Sequence, residues 1–342
     1  MNKLFANNKK PILIGEISCN HNGKIRNAKK IIDVAKKFGV DLIKFQTYSA
    51  SSLTIKSKKK DFLIKKGIWK GRKLWDLYNL AKTPFSWQKD LFDYAKKKNI
   101  KCFSTPFDEK AVDLLETLSC PIYKLASFEI NHFPLIKRIS ETKKPIIIST
   151  GMSQLRDIDQ AVNFAKKNGC KKIILLYCVS NYPSKVDDFN FKNIEIMKKR
   201  YGCPVGFSDH SIDNRVASAA VLAGANYVEK HIALEKQKKS FDIKFSLKGK
   251  EIKQFREDID IAWKLRGKKY FFRNKSEKIN KIFKRSIYIV KSIKKGDQFS
   301  LNNIAVIRPG FSLDPVYYFK LLKKKAKKNY IAGERIYYSQ VF

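Results

Sequence analysis

From residue 11 to about residue 266 the chain alternates two patterns. A short run of apolar and β-branched residues ends in polar ones, and an amphipathic stretch with apolar residues at helical spacing follows. Eight such runs are predicted strands: PILIGEIS (11–18), DLIKFQT (41–47), IKCFST (100–105), PIYKLAS (121–127), KPIIIST (144–150), KIILLYCV (172–179), CPVGFSD (203–209) and NYVEKHI (226–232). The stretches between them, such as AKKIIDVAKKFG, WQKDLFDYAKKKN and DIDQAVNFAKKNG, read as helices closing on Gly or Asn, residues that tolerate the left-handed geometry of a helix end. Eight alternating units over ~250 residues predict an α/β fold, a (β/α)8 TIM barrel. A doubly wound open sheet is the structural rival.

The barrel is assigned to residues 1–266, a linker rich in Lys and Asn to 267–282, and a small β-rich domain to 283–342. The last assignment rests on short apolar runs punctuated by KKGD and RPG, and on a strand, Gly turn and strand pattern in KKAKKNYIAGERI. One connection stands out. Residues 48–86, between the second strand and the helix WQKDLFDYAKKKN, are long for a βα loop. An insertion at that end of a barrel covers a site or makes a contact between subunits.

Charge changes the picture less than its size implies. The formal net charge of +41 would ordinarily point to nucleic acid or an anionic membrane. Yet only 12 of the 72 basic residues are Arg, and Lys is spread over nearly every helix and loop beside Ile, Asn and Phe, the set that AT-rich codons favour. No specific nucleic-acid partner and no membrane partner is expected. No apolar run approaches the ~18 residues of a membrane span, and six scattered cysteines without a CxxC or CxxH pair fit a reducing, cytoplasmic setting.

The carboxyl ends of barrel strands build active sites, and here every strand ends in polar residues. Two strand lysines, Lys44 and Lys124, would be costly to bury without an anion. With the serines and threonines at neighbouring tips, Ser104, Thr105, Ser127, Ser149, Thr150 and Ser208 among them, they describe a phosphate or carboxylate cradle made of side chains, since no GxxxxGK[ST] or GxGxxG motif is present. A Schiff-base lysine of a class I aldolase is the lesser alternative for Lys44. Two of the four histidines, His210 and His231, end consecutive strands. Adjacent strands lie ~4.8 Å apart, so both imidazoles could reach one divalent ion. His21 reads equally as a turn residue and His132 as a structural one. Glu16 is an acid inside an apolar strand and a candidate for proton transfer, or else a structural partner of Lys44.

In this order the stretches IGEISCNHNG, LIKFQTYSA, STPFD, YKLASFEI, PIIISTGM, LLYCVSNYP, VGFSDHS, VEKHIAL and FDIKFSL resemble the sialic acid synthase family, enzymes that condense phosphoenolpyruvate with an open-chain amino sugar. The last 60 residues look like that family's antifreeze-like (SAF) domain. The resemblance implies that Lys44, Thr105, Lys124, Ser127, Ser149, Asn181 and Ser208 hold phosphoenolpyruvate, and that His210 and His231 hold a divalent metal, Mn²⁺ or Mg²⁺. It further implies that Glu16, Lys124 and His231 are catalytic, and that Gln46, Glu129, Tyr182 and Asp242 face the sugar. It also implies a domain-swapped homodimer in which Arg308 reaches the partner's sugar site. Where the family's RPGxG pattern has Gly, this chain has Ser312.

Within the family, neuraminate-forming members carry GSGE or GSGD where this chain has Ala126, Ser127, Phe128 and Glu129. The ASFE form resembles pseudaminate-forming members, and a bulky ring there suits a 6-deoxy, diacetamido sugar. A sugar-binding protein without activity would not need Glu16, His210 and His231 together, and a nucleic-acid binder would concentrate its basic residues on one face.

Overall fold

The computed structural model describes residues 10–267 and 270–342. Residues 1–9 and 268–269, parts of the stretches assigned to the barrel and the linker, lie outside the described residues. The chain divides into two compact units, Met1–Gly267 and Lys268–Phe342.

In the first unit eight parallel strands close on themselves: β1 (Ile12–Glu16), β2 (Leu42–Thr47), β3 (Lys101–Pro106), β4 (Tyr123–Leu125), β5 (Ile146–Ser149), β6 (Ile173–Cys178), β7 (Val205–Asp209) and β8 (Tyr227–Ala233). Neighbours in sequence pair in order, and β1 pairs with β8 in the register Ile12↔Tyr227 to Glu16↔His231. A two-residue strand, β9 (Leu247–Lys248), adds to the end of β8. This is the (β/α)8 barrel that the alternating pattern predicts.

Helix Ile25–Lys37 shows why the pattern was readable. It buries Ala28, Ile31, Ile32 and Ala35 against the sheet, carries Lys36 and Lys37 in its last turn, and is followed by Gly39 at φ +84°. Those lysines also favour the negative end of the helix dipole. Inside the barrel, Gly206 on β7 leaves room that Tyr227 and Leu176 fill: a Cβ at Gly206 would stand 2.6 Å from both the Cβ and the carbonyl oxygen of Tyr227. The barrel is a packed core below its polar rim.

Two local differences from the predicted elements matter for the site. The strand predicted over 121–127 is three residues long, and Ser127–Glu129 form a turn of 3-10 helix instead. Glu129 therefore sits beyond the strand, not on it. The long connection after β2 holds two α-helices, Ala50–Leu53 and Leu74–Ala81, and between them a 3-10 turn, Lys60–Phe62, after which the chain doubles back through the antiparallel bridge Leu63–Lys73.

The second unit has its own core, in which Ile287, Ile289, Phe299, Ile304, Tyr330 and Ile336 are buried. Its regular sheet is smaller than a β-rich domain implies: among the described residues only β10 (Ser286–Ile289) and β11 (Ile304–Ile307) form a ladder. The expected strand, turn and strand near the C-terminus is realised as single bridges, Ile293 to Tyr330 and Tyr288 to Arg335. Lysines separate the buried positions there, leaving no alternating run long enough to propagate a ladder. The stretch read as linker contains a 3-10 helix, Lys275–Phe283. Ser312 explains its own presence. Its hydroxyl donates to the Ile287 carbonyl and accepts the Ile336 amide at 2.8 Å, tying β10 to the C-terminal segment.

Candidate active site

Strand alternation sends every second side chain to the barrel interior, so groups on strands far apart in the sheet meet at its axis. Glu229 of β8 is the meeting point. Its Oε1 lies 3.5 Å from Lys44 Nζ of β2 and 3.6 Å from Lys124 Nζ of β4, and accepts a hydrogen bond of 3.1 Å from Ser208 of β7. Lys44 is also ion-paired with Glu16 of β1 and donates to Thr105 Oγ1 at 3.3 Å. Glu16 Oε1 in turn accepts the Ser18 amide at 2.7 Å. All four charged groups are buried.

The electrostatics of the quartet are asymmetric. Burial alone would lower the Lys44 pKa, but Glu16 and Glu229 together raise it above the ordinary value. For Lys124 burial, helped by the like charge of Lys44, wins over Glu229, and its pKa is lowered. Burial would raise the Glu229 carboxyl, yet Lys124 and Lys44 hold it at about 2. Lys44 is thus fully compensated and Lys124 is not.

Around the quartet lie Ser149, whose buried hydroxyl has no hydrogen-bond partner, and Ser127, whose hydroxyl accepts the Gly151 amide at 3.0 Å. A Cβ at Gly151 would fall 2.0 Å from the Ser180 hydroxyl and 2.9 Å from that of Ser127, so this close approach favours Gly. Asn181 is not brought to the cluster. It is exposed, and its amide donates to Asp188 at 3.2 Å.

His210, just after β7, and His231 of β8 have ring centroids 5.6 Å apart. Burial, with His231 beside it, lowers the His210 pKa to about 3, so its imidazole is neutral, as a metal ligand must be. Its Nδ1 faces the Val179 carbonyl at 3.2 Å, which leaves Nε2 as the outward nitrogen. His231 Nδ1 is buried without a hydrogen bond, although Asp242 Oδ2 is 3.4 Å away. Among the described residues no group of three or more His, Cys, Asp or Glu side chains is arranged to hold an ion. The donor set, two adjacent imidazoles with one buried ring nitrogen left unpartnered, is chemically compatible with a divalent ion.

Beside the histidines opens a cavity of about 360 Å³, within the ~300–1,000 Å³ usual for small-molecule sites. Gln46, Glu129, His231 and Asp242 give it polar groups, and Phe128 and Tyr182 an aromatic side. Tyr182 lies 4.4 Å from the His210 ring, centroid to centroid, and 6.5 Å from Phe128. Burial raises the Glu129 pKa to about 7 despite Lys124 nearby. The Asp242 carboxyl, which burial would raise, is lowered by His231, and it accepts a bond of 3.2 Å from the Cys19 thiol. Arg308 lies exposed in the second unit.

Several polar tips are structural. Lys230 and Asp209 pair at 2.9 Å on the outer side of the barrel wall, where Lys230 also reaches the Ser211 carbonyl and overlies the Phe255 ring of the helix Glu251–Arg266. His21 is bonded to Thr83 at 3.1 Å, and His132 caps the helix Phe133–Glu141. One contributor went unrecognised in the sequence: Glu229 was visible only as one of three polar residues in VEKH, and its centrality needs β2, β4 and β7 in place. The inserted segment, expected to cover a site or join subunits, lines the cavity with Tyr48, Ile64, Trp69, Leu74, Leu77 and Tyr78, residues the sequence did not single out.

A model of the NeuB family matches residues 31–270. The pseudaminic acid synthase of Campylobacter jejuni subsp. jejuni serotype O:2 is 39% identical over 332 residues, covering 97% of this chain and 97% of that protein. The N,N'-diacetyllegionaminic acid synthase of the same organism is 37% identical over 332 residues, covering 96% of this chain and 99% of that protein. Among solved structures, the N-acetylneuraminic acid synthetase of Leptospira borgpetersenii serovar Hardjo-bovis, in complex with citrate, is similar with a TM-score of 0.72 and 28% identity, over 81% of this chain and 92% of that one. By the family match across the barrel and by identity over nearly the whole length, the chain belongs to the NeuB family.

Proposed function

We propose that the chain condenses phosphoenolpyruvate with 2,4-diacetamido-2,4,6-trideoxy-altrose to give pseudaminate and inorganic phosphate. The observation that carries the reading is the pairing of a two-lysine anion site with an aromatic-sided sugar cavity in one barrel mouth. The enol carbon C3 attacks the sugar aldehyde, forming the new C–C bond while the aldehyde oxygen takes a proton. Water then adds at C2, and the tetrahedral intermediate breaks its C2–O bond to release phosphate and leave the ketone.

In this scheme Lys44, Lys124, Thr105, Ser127, Ser149 and Ser208 bind phosphoenolpyruvate, and Asn181 joins them only by leaving Asp188. Glu16, held against Lys44, moves the proton. His210 and His231 would hold the divalent ion, Mn²⁺ or Mg²⁺, which when bound supplies Lewis-acid polarisation. Gln46, Glu129, Tyr182 and Asp242 meet the sugar, and Phe128, 55% exposed at the cavity, offers it an apolar face. The second unit acts as an antifreeze-like domain whose Arg308 completes the sugar site of a domain-swapped partner. The six cysteines, all unpaired, accord with a cytoplasmic enzyme, and no described helix is long and apolar enough to cross a membrane.

The legionaminate relative at 37% identity favours a second reading, the same chemistry on a 2,4-diacetamido-mannose, with N-acetylmannosamine as the neuraminate-type variant. Phosphate release with Mn²⁺, phosphoenolpyruvate and each of the three sugars separates them. The altrose derivative is expected to be turned over fastest, and faster release with either mannose derivative refutes the assignment.

A further inference from the structure

We infer that the buried pair of Lys230 and Asp209, on the outer side of the barrel wall, positions the two histidines and fixes the spacing at which His210 and His231 take a divalent ion. The inference rests on the proposed function and extends it to residues that do not line the cavity. Asp209 closes β7 and His210 follows it, while Lys230 and His231 are consecutive on β8. Asp209 and Lys230 are also partners in the strand register. Their ion pair of 2.9 Å therefore joins the two strands one residue before each histidine.

The tie continues past His210. Asp209 Oδ1 accepts the Ser211 amide at 2.8 Å and the Ser211 hydroxyl at 2.6 Å, and Lys230 Nζ donates to the Ser211 carbonyl. The residues on both sides of His210 are thus bonded to one another and to the strand that carries His231. Lys230 and Asp209 are almost wholly buried, with the Phe255 ring over the ammonium. In so dry a place the pair keeps one arrangement, because any other leaves a buried charge without its partner. Strand alternation turns these side chains to one face of the wall and the histidines to the other, where the imidazole centroids stand 5.6 Å apart. A slip between the ends of β7 and β8 changes that spacing directly, whereas the lysines of the anion site stand on β2 and β4. Partners that orient metal ligands are worth roughly 10- to 100-fold in metal affinity.

The test is titration calorimetry with Mn²⁺ alone and with phosphoenolpyruvate alone, on the wild type, Lys230→Met, the double variant Asp209→Leu with Lys230→Met, and Ser211→Ala. Lys230→Met strands the Asp209 carboxylate and should melt below the double variant, in which no charge is left buried. The double variant should bind Mn²⁺ about 10-fold more weakly than the wild type, and Ser211→Ala should shift in the same direction, with phosphoenolpyruvate affinity unchanged in both. Ser211→Ala deletes one hydroxyl and no charge, so its result stands whether or not the double variant folds. Wild-type Mn²⁺ affinity in the variants, or equal losses for Mn²⁺ and phosphoenolpyruvate, overturns the inference and leaves the proposed function standing. A wild type that binds no Mn²⁺ overturns the metal in the proposed function and this inference with it.

Discussion

Glu129 offers a prediction with a definite sign. Its carboxyl is 9% exposed, and burial raises its pKa from 4.5 to about 7. The folded chain therefore keeps a proton that the unfolded chain gives up at pH 4.5. Between those two values stability falls as pH rises, and it is level with respect to this group on either side. At about 1.4 kcal/mol per pH unit, the step from 4.5 to about 7 corresponds to roughly 3 kcal/mol. His21 and His210, lowered by burial to about 4 and about 3, act oppositely because the unfolded chain takes up their protons first as pH falls through 6.5. Glu229, held at about 2 against 4.5, removes stability only as pH falls below 4.5. The raw profile mixes these groups, and the difference between wild type and Glu129→Gln isolates one. At ~2 °C per kcal/mol for a domain of this size, the Tm of Glu129→Gln should gain about 6 °C on that of the wild type between pH 4.5 and pH 8. Scanning calorimetry or dye-monitored melting across that range provides the measurement. Two melting curves that stay parallel would refute the account of Glu129 as a desolvated acid.

Lys124→Met should weaken phosphoenolpyruvate binding more than Lys44→Met, because Lys44 already has Glu16 as a full partner; titration calorimetry compares them, and equal losses count against the asymmetry. His210→Ala and His231→Ala should each abolish stimulation by added Mn²⁺, and undiminished phosphate release in excess chelator would remove the metal from the scheme. Ser312→Ala should cost the second unit about 1–3 kcal/mol by leaving the Ile336 amide without its acceptor, read as faster hydrogen exchange at that amide.

Much of the barrel was legible because each strand combines a β-branched run with a polar carboxyl end, and each helix repeats at the spacing that buries one face. Ile25–Lys37 and Tyr227–Ala233 fall where the pattern places them. The limits were equally physical. Alternation along a strand shows which residues share a side but not which side faces the axis, so Lys230 and Asp209 read like Glu229 until the barrel closes. The short strand Tyr123–Leu125 ended early because Ser127–Glu129 turn to meet Gly151, a contact between segments 24 residues apart. The inserted segment has no long periodic run, so its cavity-facing residues could not be told from an ordinary surface helix. Asn181 shows the reverse case, a residue in the right loop whose side chain turns outward to Asp188.

In the proposed scheme the barrel mouth selects its anion by partner exchange more than by net charge. Lys44 and Lys124 face Glu16 and Glu229, so the cluster is balanced before any substrate enters. A balanced cluster is what allows two ammonium groups to be buried at all, since either lysine alone would bear an uncompensated desolvation cost. An anion entering this site must compete with Glu229 for Lys124, the ammonium whose pKa the surroundings lower and which therefore gains most from a closer negative charge. Ser149, with its hydroxyl unpartnered, and Ser208, now spent on Glu229, are the neutral donors that can turn to the newcomer without adding charge.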